Sequence, residues 1–549
     1  GSGGPSEFSG HGGGAIRIEV AGWVTNNGMI TANGGPYRSG TRSGGGSGGA
    51  IRIACATLGG DGGVIQAQGG LGASFPGDGA GGGGGGRIAV LYDPVAQSNQ
   101  PPPGIRFLAT GGNGTTTGEV GTLYFADHQF IDGVTVFSTN NFTGQIIAGD
   151  FTNWAPASLT VSNTWIRFPQ DGFQLVVAND LRISGGAGRL DVGTTTYLPN
   201  DIQMTMFNGH VARPELHVGG NLFLTNSASL WVFPVITNPA APDYGALVSV
   251  TGDVTLAPGC CVMPVANPTN GSWALFRMAN LTIAPNAGFN AGSAGYIADR
   301  GPGKGTTSIR PGGASHGGAG GCGELSGSTP SFGGLPYDAV ASPKIPGSGG
   351  GSYGPTDPGG RGGGVIWLQI ADRFTLHGVL NADGEGATAN SGASGAGGAV
   401  NITCQALAGT GGVISARGGN RAVVTAGGGG GGRIAINYSP SVQATQAVPQ
   451  IIITAQRGTG FEPGDIGTVY LPDAKLLGPT ITTNLAGQLL GFPAWSTDSL
   501  LVTNTRVRFA ESGFRLTISN DLVVAGAGTR LDQGGGGLLV ASASNYHNN

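Results

Sequence analysis

The residues of this chain that could do chemistry are few and scattered. Asp180 and Asp191 recur as Asp521 and Asp532, inside Asn179-Asp180-Leu181 and Arg189-Leu190-Asp191 and their counterparts Asn520-Asp521-Leu522 and Arg530-Leu531-Asp532. Each Arg and Asp two apart can share one strand face as a surface ion pair, and Asn-Asp favours a turn. Glycosidase or pectate-lyase chemistry needs two or three carboxylates, or a calcium-binding acidic cluster, converging on one face. A pattern present twice suits a building block better than an enzyme. His11 stands where the second copy has Arg361, His128 where it has Ala474, and His377 where the first copy has Asn27. A repeated histidine site is therefore excluded at these positions. His210, His217 and His316 have no counterpart and read as surface or turn histidines.

The cysteines show no metal spacing. Cys55 and Cys404 end equivalent apolar strands and read as small buried hydrophobes. Cys260 and Cys261 are adjacent, so on a strand they point to opposite faces. Cys322, in a Gly-rich turn, is a candidate to pair with one of them. Gly59–Gly63, with Asp61 at its centre, has the look of a calcium-binding glycine–aspartate nonapeptide. It lacks the nine-residue period, and the second copy has Gly409-Thr410-Gly411 there. Trp154 and Trp495 precede Leu-x-Val strands and read as packing residues rather than sugar platforms. Arg87 and Arg433 each follow a glycine run, placed to cap an edge or bind glycine carbonyls. No catalytic, cofactor-binding or metal-binding residue is assigned.

The elements that must position these residues are repeats. Gly81–Gly86 runs into Arg87-Ile88-Ala89-Val90-Leu91-Tyr92, and returns as Gly427–Gly432 before Arg433-Ile434-Ala435-Ile436-Asn437-Tyr438. Gly118–Tyr124 likewise matches Gly464–Tyr470, and Gly172–Leu181 matches Gly513–Leu522. One copy spans about 1–346; a second starts near Gly347 and reaches Asn549 about two thirds through. Within each copy a shorter unit repeats: Gly13-Gly14-Ala15-Ile16-Arg17-Ile18 returns as Gly48-Gly49-Ala50-Ile51-Arg52-Ile53. It reads as a glycine run, an I-x-I strand, a turn, then G-x-I-x-A-x-G-G. Apolar residues two apart share a face, and two short strands bury that face only by stacking on the next unit. The fold class expected is all-β, a β-solenoid of parallel β-helix type, with almost no helix. Each ordered glycine costs about 0.5–1 kcal/mol relative to Ala, so the runs imply close backbone approach, as in polyglycine II bundles.

Composition bounds the function. The chain has 549 residues and 111 glycines; hydrophobics are 39%, too many and too regularly alternating for disorder, and charged residues only 10%. Net charge is −4 with no basic stripe, against a nucleic-acid partner. No apolar run approaches the ~20 residues of a membrane helix. The chain starts at Gly1 within the repeat pattern, which is the expectation for a processed product or a piece of a longer array.

In 141–300 the rhythm changes to Gly220-Asn221-Leu222-Phe223-Leu224, Gly252-Asp253-Val254-Thr255-Leu256 and Ala279-Asn280-Leu281-Thr282-Ile283. These strands resemble the β-helix rungs of bacterial autotransporter passengers and related adhesins. The segments that end in Arg-Ile-Ala-Ile/Val-x-Tyr resemble glycine-rich tandem repeats of large secreted bacterial surface proteins. The expected divisions are a glycine-rich solenoid over 1–140, rungs over 141–300, a Gly/Pro-rich junction over 301–346, a second glycine-rich solenoid over 347–485 and incomplete rungs over 486–549. The 290–362 stretch reads as a hinge between copies. The resemblance implies a secreted or cell-surface structural protein forming a stalk, fibre or sheath by self-association or covalent continuation, without cofactor. An adhesin binding glycans or another cell is the alternative, and a polysaccharide lyase or hydrolase the third reading.

Overall fold

A computed structural model describes residues 8–39, 42–74, 79–149, 151–197, 206–207, 209–236, 244–325, 331–354, 357–387, 392–420, 425–534, 538–541 and 545–548. The ends of the expected divisions at 1 and 549 lie outside the described residues. The fold is all-β with long parallel sheets. Its α-helices among the described residues are the single turns Pro94–Gln97 and Pro440–Gln443. Two compact units are present, 1–194 with 224–230, and 195–223 with 231–549.

In the first unit each strand pairs in parallel with the strand one repeat later. Ala15–Glu19, Ala50–Ala54, Arg87–Leu91 and Thr122–Phe125 align so that Ile16, Ile51, Ile88 and Leu123 share one column. Ile18, Ile53, Val90 and Phe125 share the next inward column. A second ladder stacks Ile30, Ile65, Phe107 and Phe142. Ile51, Ile53, Ile65, Ile88, Val90 and Phe107 are buried, while Arg17 and Arg52 face out. The I-x-I spacing therefore does what period-two patterning requires. Later in this unit Phe137, Val161 and Ile183 align, and Phe137 packs edge-on against Trp154.

The second unit repeats the arrangement. Ala246–Val250, Ala274–Met278, Val365–Ile370, Ala399–Thr403, Arg433–Asn437 and Thr468–Tyr470 form one ladder, with Val248, Phe276, Leu368, Ile402 and Ile436 in a buried column. Leu256, Ile283 and Leu376 form another. The strands before and after 290–362 thus pair directly, Leu275 with Trp367 and Phe276 with Leu368. The stretch expected to be a hinge is instead layered against the second copy. Ala314, Ser315 and His316 are fully buried, because their backbone groups pair with neighbouring glycine segments rather than water.

The glycine runs form backbone-bonded layers. In the run Gly427–Gly432 the N–H groups point three ways with a period of three. Gly428 and Gly431 donate to Glu462 and Asp465, one repeat on; Gly429 and Gly432 donate to Gly419 and Ala416; Gly427 and Gly430 donate to Pro311 and Ala314. A Cβ on Gly429 would lie 2.0 Å from the Gly395 carbonyl oxygen, so glycine is sterically required there.

Candidate functional site

The first unit buries a charged network on its strands. Trp165–Arg167 pairs in parallel with Arg189–Val192, setting Trp165 opposite Arg189 and Arg167 opposite Asp191. The Asp191 carboxylate is fully enclosed. It accepts from Arg167 Nε at 2.8 Å, Arg189 Nε at 2.6 Å and Trp165 Nε1 at 2.9 Å. Arg167 is 1% exposed and also meets Glu119 at 3.0 Å. Arg189 lies over the Trp165 ring at 3.7 Å. Burial alone would raise the Asp191 carboxyl, but Arg189 and Arg167 outweigh it and hold it below the usual carboxylate range. Burial likewise opposes the Arg167 charge, and Asp191 and Glu119 more than offset it. Two cations and two anions balance, which is the condition for keeping charges away from water.

The Arg189–Asp191 pair expected at the surface is therefore buried; Glu119 and Arg167, which the sequence reading did not connect, complete it. The second unit carries the counterpart. Arg508 meets Asp465 at 3.0 Å and Asp532 at 3.6 Å, and Arg530 meets Asp532 at 2.6 Å. Arg506 replaces Trp165, and Arg530 is well exposed. The signal was available in register: Glu119 and Asp465 precede the same Val/Ile-Gly-Thr strand, and Arg167 and Arg508 the same strand end. In both units the aspartate of the Arg-Leu-Asp strand is engaged by two arginines. Asp180 binds Arg182 at the surface, and Asp521 is exposed.

His316 was expected at a surface or turn, yet it is completely buried. Its Nδ1 faces the Gly397 and Gly398 carbonyls at 3.1 and 3.0 Å, and its Nε2 faces Asp338 at 3.2 Å. Asp338, at φ +72°, also accepts from the Lys344 and Ile345 amides. Burial raises its carboxyl, but His316 and the Ile345 and Ala339 amides prevail and hold it low. Arg433 is buried and donates to the Tyr337 carbonyl at 2.7 Å rather than to a glycine carbonyl. Arg87, its counterpart, is exposed. The cluster ties the 311–346 segment to the glycine layers.

The remaining candidates are dispersed. His128 pairs with Asp132, His217 with Glu215, and His377 with the Thr410 carbonyl. Asp61 is exposed. Among the described residues no three His, Cys, Asp or Glu gather to hold a metal ion. All five cysteines are free thiols, so Cys322 does not pair with Cys260 or Cys261. Burial pushes the Cys261 thiol up to about 11 and Cys404 up to about 12. Trp154 and Trp495 are buried in aromatic clusters with Phe168 and Phe509. Trp23 is 80% exposed, beside a shallow groove formed with Thr57 and Pro101–Pro103. Among the described residues no helix is long and apolar enough to cross a membrane. No protein-family model, curated protein or solved structure matches the chain.

Proposed function

We propose that the strands of each unit wind as a β-solenoid with a polyglycine-II-like wall, and that the protein is a structural component of an extracellular stalk, fibre or sheath. The observation that carries this reading is the residue-by-residue register of successive repeats, from Ile16 through Ile51 and Ile88 to Leu123, continued in kind by the second unit. Such a ladder buries apolar columns only by adding further repeats, so extension is its natural product. The duplicated polar groups support it: Asp191 and Asp532 are consumed by arginines, and Gln97 and Gln443 each pair with a buried leucine backbone, Leu58 and Leu407. Placement outside the cell rests on the resemblance to secreted bacterial surface repeats alone. Fibre diffraction of aligned protein tests the reading: a strong spacing near 4.8 Å along the long axis supports it, and its absence removes it.

The adhesin reading rests on Trp23. A solvent-facing indole beside a proline-lined groove offers one stacking face to a sugar ring. Glycan-array binding that Trp23→Ala abolishes would favour it; an array without hits would set it aside.

A further inference from the structure

The two hexaglycine runs are the same in sequence and differ in cover. In the second copy, Gly427 and Gly430 donate to the carbonyls of Pro311 and Ala314. The Gly428 and Gly431 carbonyls accept from Gly321 and from Gly317 and Gly318. A Cβ on Gly427 would lie 1.9 Å from the Gly321 oxygen, and one on Gly430 2.1 Å from the Gly318 oxygen. Every glycine of that run is buried.

The equivalent groups of the first copy are Gly81 and Gly84 N–H and the Gly82 and Gly85 carbonyls. Gly82 and Gly85 donate to Thr116 and Glu119, and Gly83 and Gly86 to Gly70 and Ala67, so two of the three directions are filled as in the second copy. The third is open: among the described residues nothing accepts from Gly81 or Gly84 or donates to Gly82 or Gly85. Both Gly81 and Gly84 are only half-buried. A Cβ on Gly84 would meet nothing nearer than the Glu119 oxygen at 3.9 Å, and its φ lies outside the left-handed region. Among the described residues nothing therefore requires glycine at Gly84, although glycine costs about 0.5–1 kcal/mol relative to Ala.

We propose that the Gly81–Gly85 strip of the first copy is a docking surface for a glycine-rich extended segment of the 311–323 type, presented by another polypeptide. The internal precedent specifies the occupant's chemistry. It needs carbonyls placed as those of Pro311 and Ala314, amides placed as those of Gly317 and Gly321, and no side chain where Gly313 and Gly321 approach the run. A Cβ on Gly313 would lie 2.0 Å from the Gly428 oxygen, and one on Gly321 1.9 Å from the Glu462 oxygen. Recognition is by main-chain pairing, a form of strand addition whose selectivity comes from excluding side chains. It differs from edge-strand pairing because the glycine layer, not the I-x-I strand, receives the partner. The strand face beside it carries exposed Arg17 and Arg52 where the second copy has buried Trp367 and Asn401, so the docking strip ends at the glycines. This inference holds whether or not the protein forms filaments.

The test is fluorescence anisotropy of a labelled synthetic peptide spanning residues 308–325, with Cys322→Ser, titrated with the full chain. Saturable binding is expected, weakened at least about tenfold by Gly84→Val in the chain. A Gly313→Val/Gly321→Val peptide should lose binding to the unmodified chain. Because the Gly84 side is open, Gly84→Val should keep the parent circular dichroism and melting curve; Gly44→Val, whose Cβ would meet, among the described residues, only the Gly81 oxygen at 3.7 Å, is the second probe of the same face. No binding to the unmodified chain, or binding that neither chain variant weakens, would overturn the proposal.

Discussion

At the scale of single residues the two copies diverge most in how deeply they bury the same ions. Asp191 has no exposed side-chain surface, whereas Asp532 is 21% exposed. Asp191→Ala leaves Arg167 buried without its main counter-ion and should cost about 3–5 kcal/mol in urea unfolding of the first unit. Asp532→Ala should cost under about half as much, since water reaches Arg508 and Arg530. Equal costs would contradict the burial difference. The pH dependence follows in sign. Asp191 binds its proton more weakly folded than unfolded, so its contribution is present above about pH 4 and is lost as pH falls through the depressed folded value. Melting curves of Asp191→Asn should therefore fall less steeply between neutral and acidic pH than those of the parent. The Arg189–Asp191 pair was legible from spacing. Its burial was not, because Glu119 and Arg167 reach it from strands separated in sequence, and only the parallel register aligns them. His316 follows the same logic: a histidine amid glycines and serines reads as exposed, but the surrounding layers, with the Gly397 and Gly398 carbonyls at its ring, bury it completely.

At the scale of elements the glycine runs are not uniform, and the threefold direction of their amides separates required from replaceable positions. Gly83→Ala would bring a Cβ within 2.0 Å of the Gly46 oxygen, and Gly429→Ala within 2.0 Å of the Gly395 oxygen. Each should destabilise its own unit by more than about 2 kcal/mol. Gly84→Ala should instead be neutral or stabilising by up to about 1 kcal/mol, because it lowers only the entropy of the unfolded chain. Thermal melts of the three variants check the order. The strands themselves were readable, since I-x-I patterning fixes which face is buried; so was the need for close backbone approach along the runs. The path of 290–362 was not. Glycine and proline content signals a turn or hinge in isolation, and here the same residues lie flat as an added layer because Gly317, Gly318 and Gly321 donate into the neighbouring run.

At the scale of the whole molecule the proposed structural role rests on repetition: within each unit successive strands pair in parallel and in register, and Asp191 and Asp532 are engaged by arginines. Cryo-electron microscopy of the protein at native concentration tests this most directly. The proposed stalk or fibre predicts extended particles whose averaged images carry an axial layer line near 4.8 Å, the strand-to-strand spacing of a parallel ladder. Compact, separate particles with no axial repeat at that spacing would contradict it.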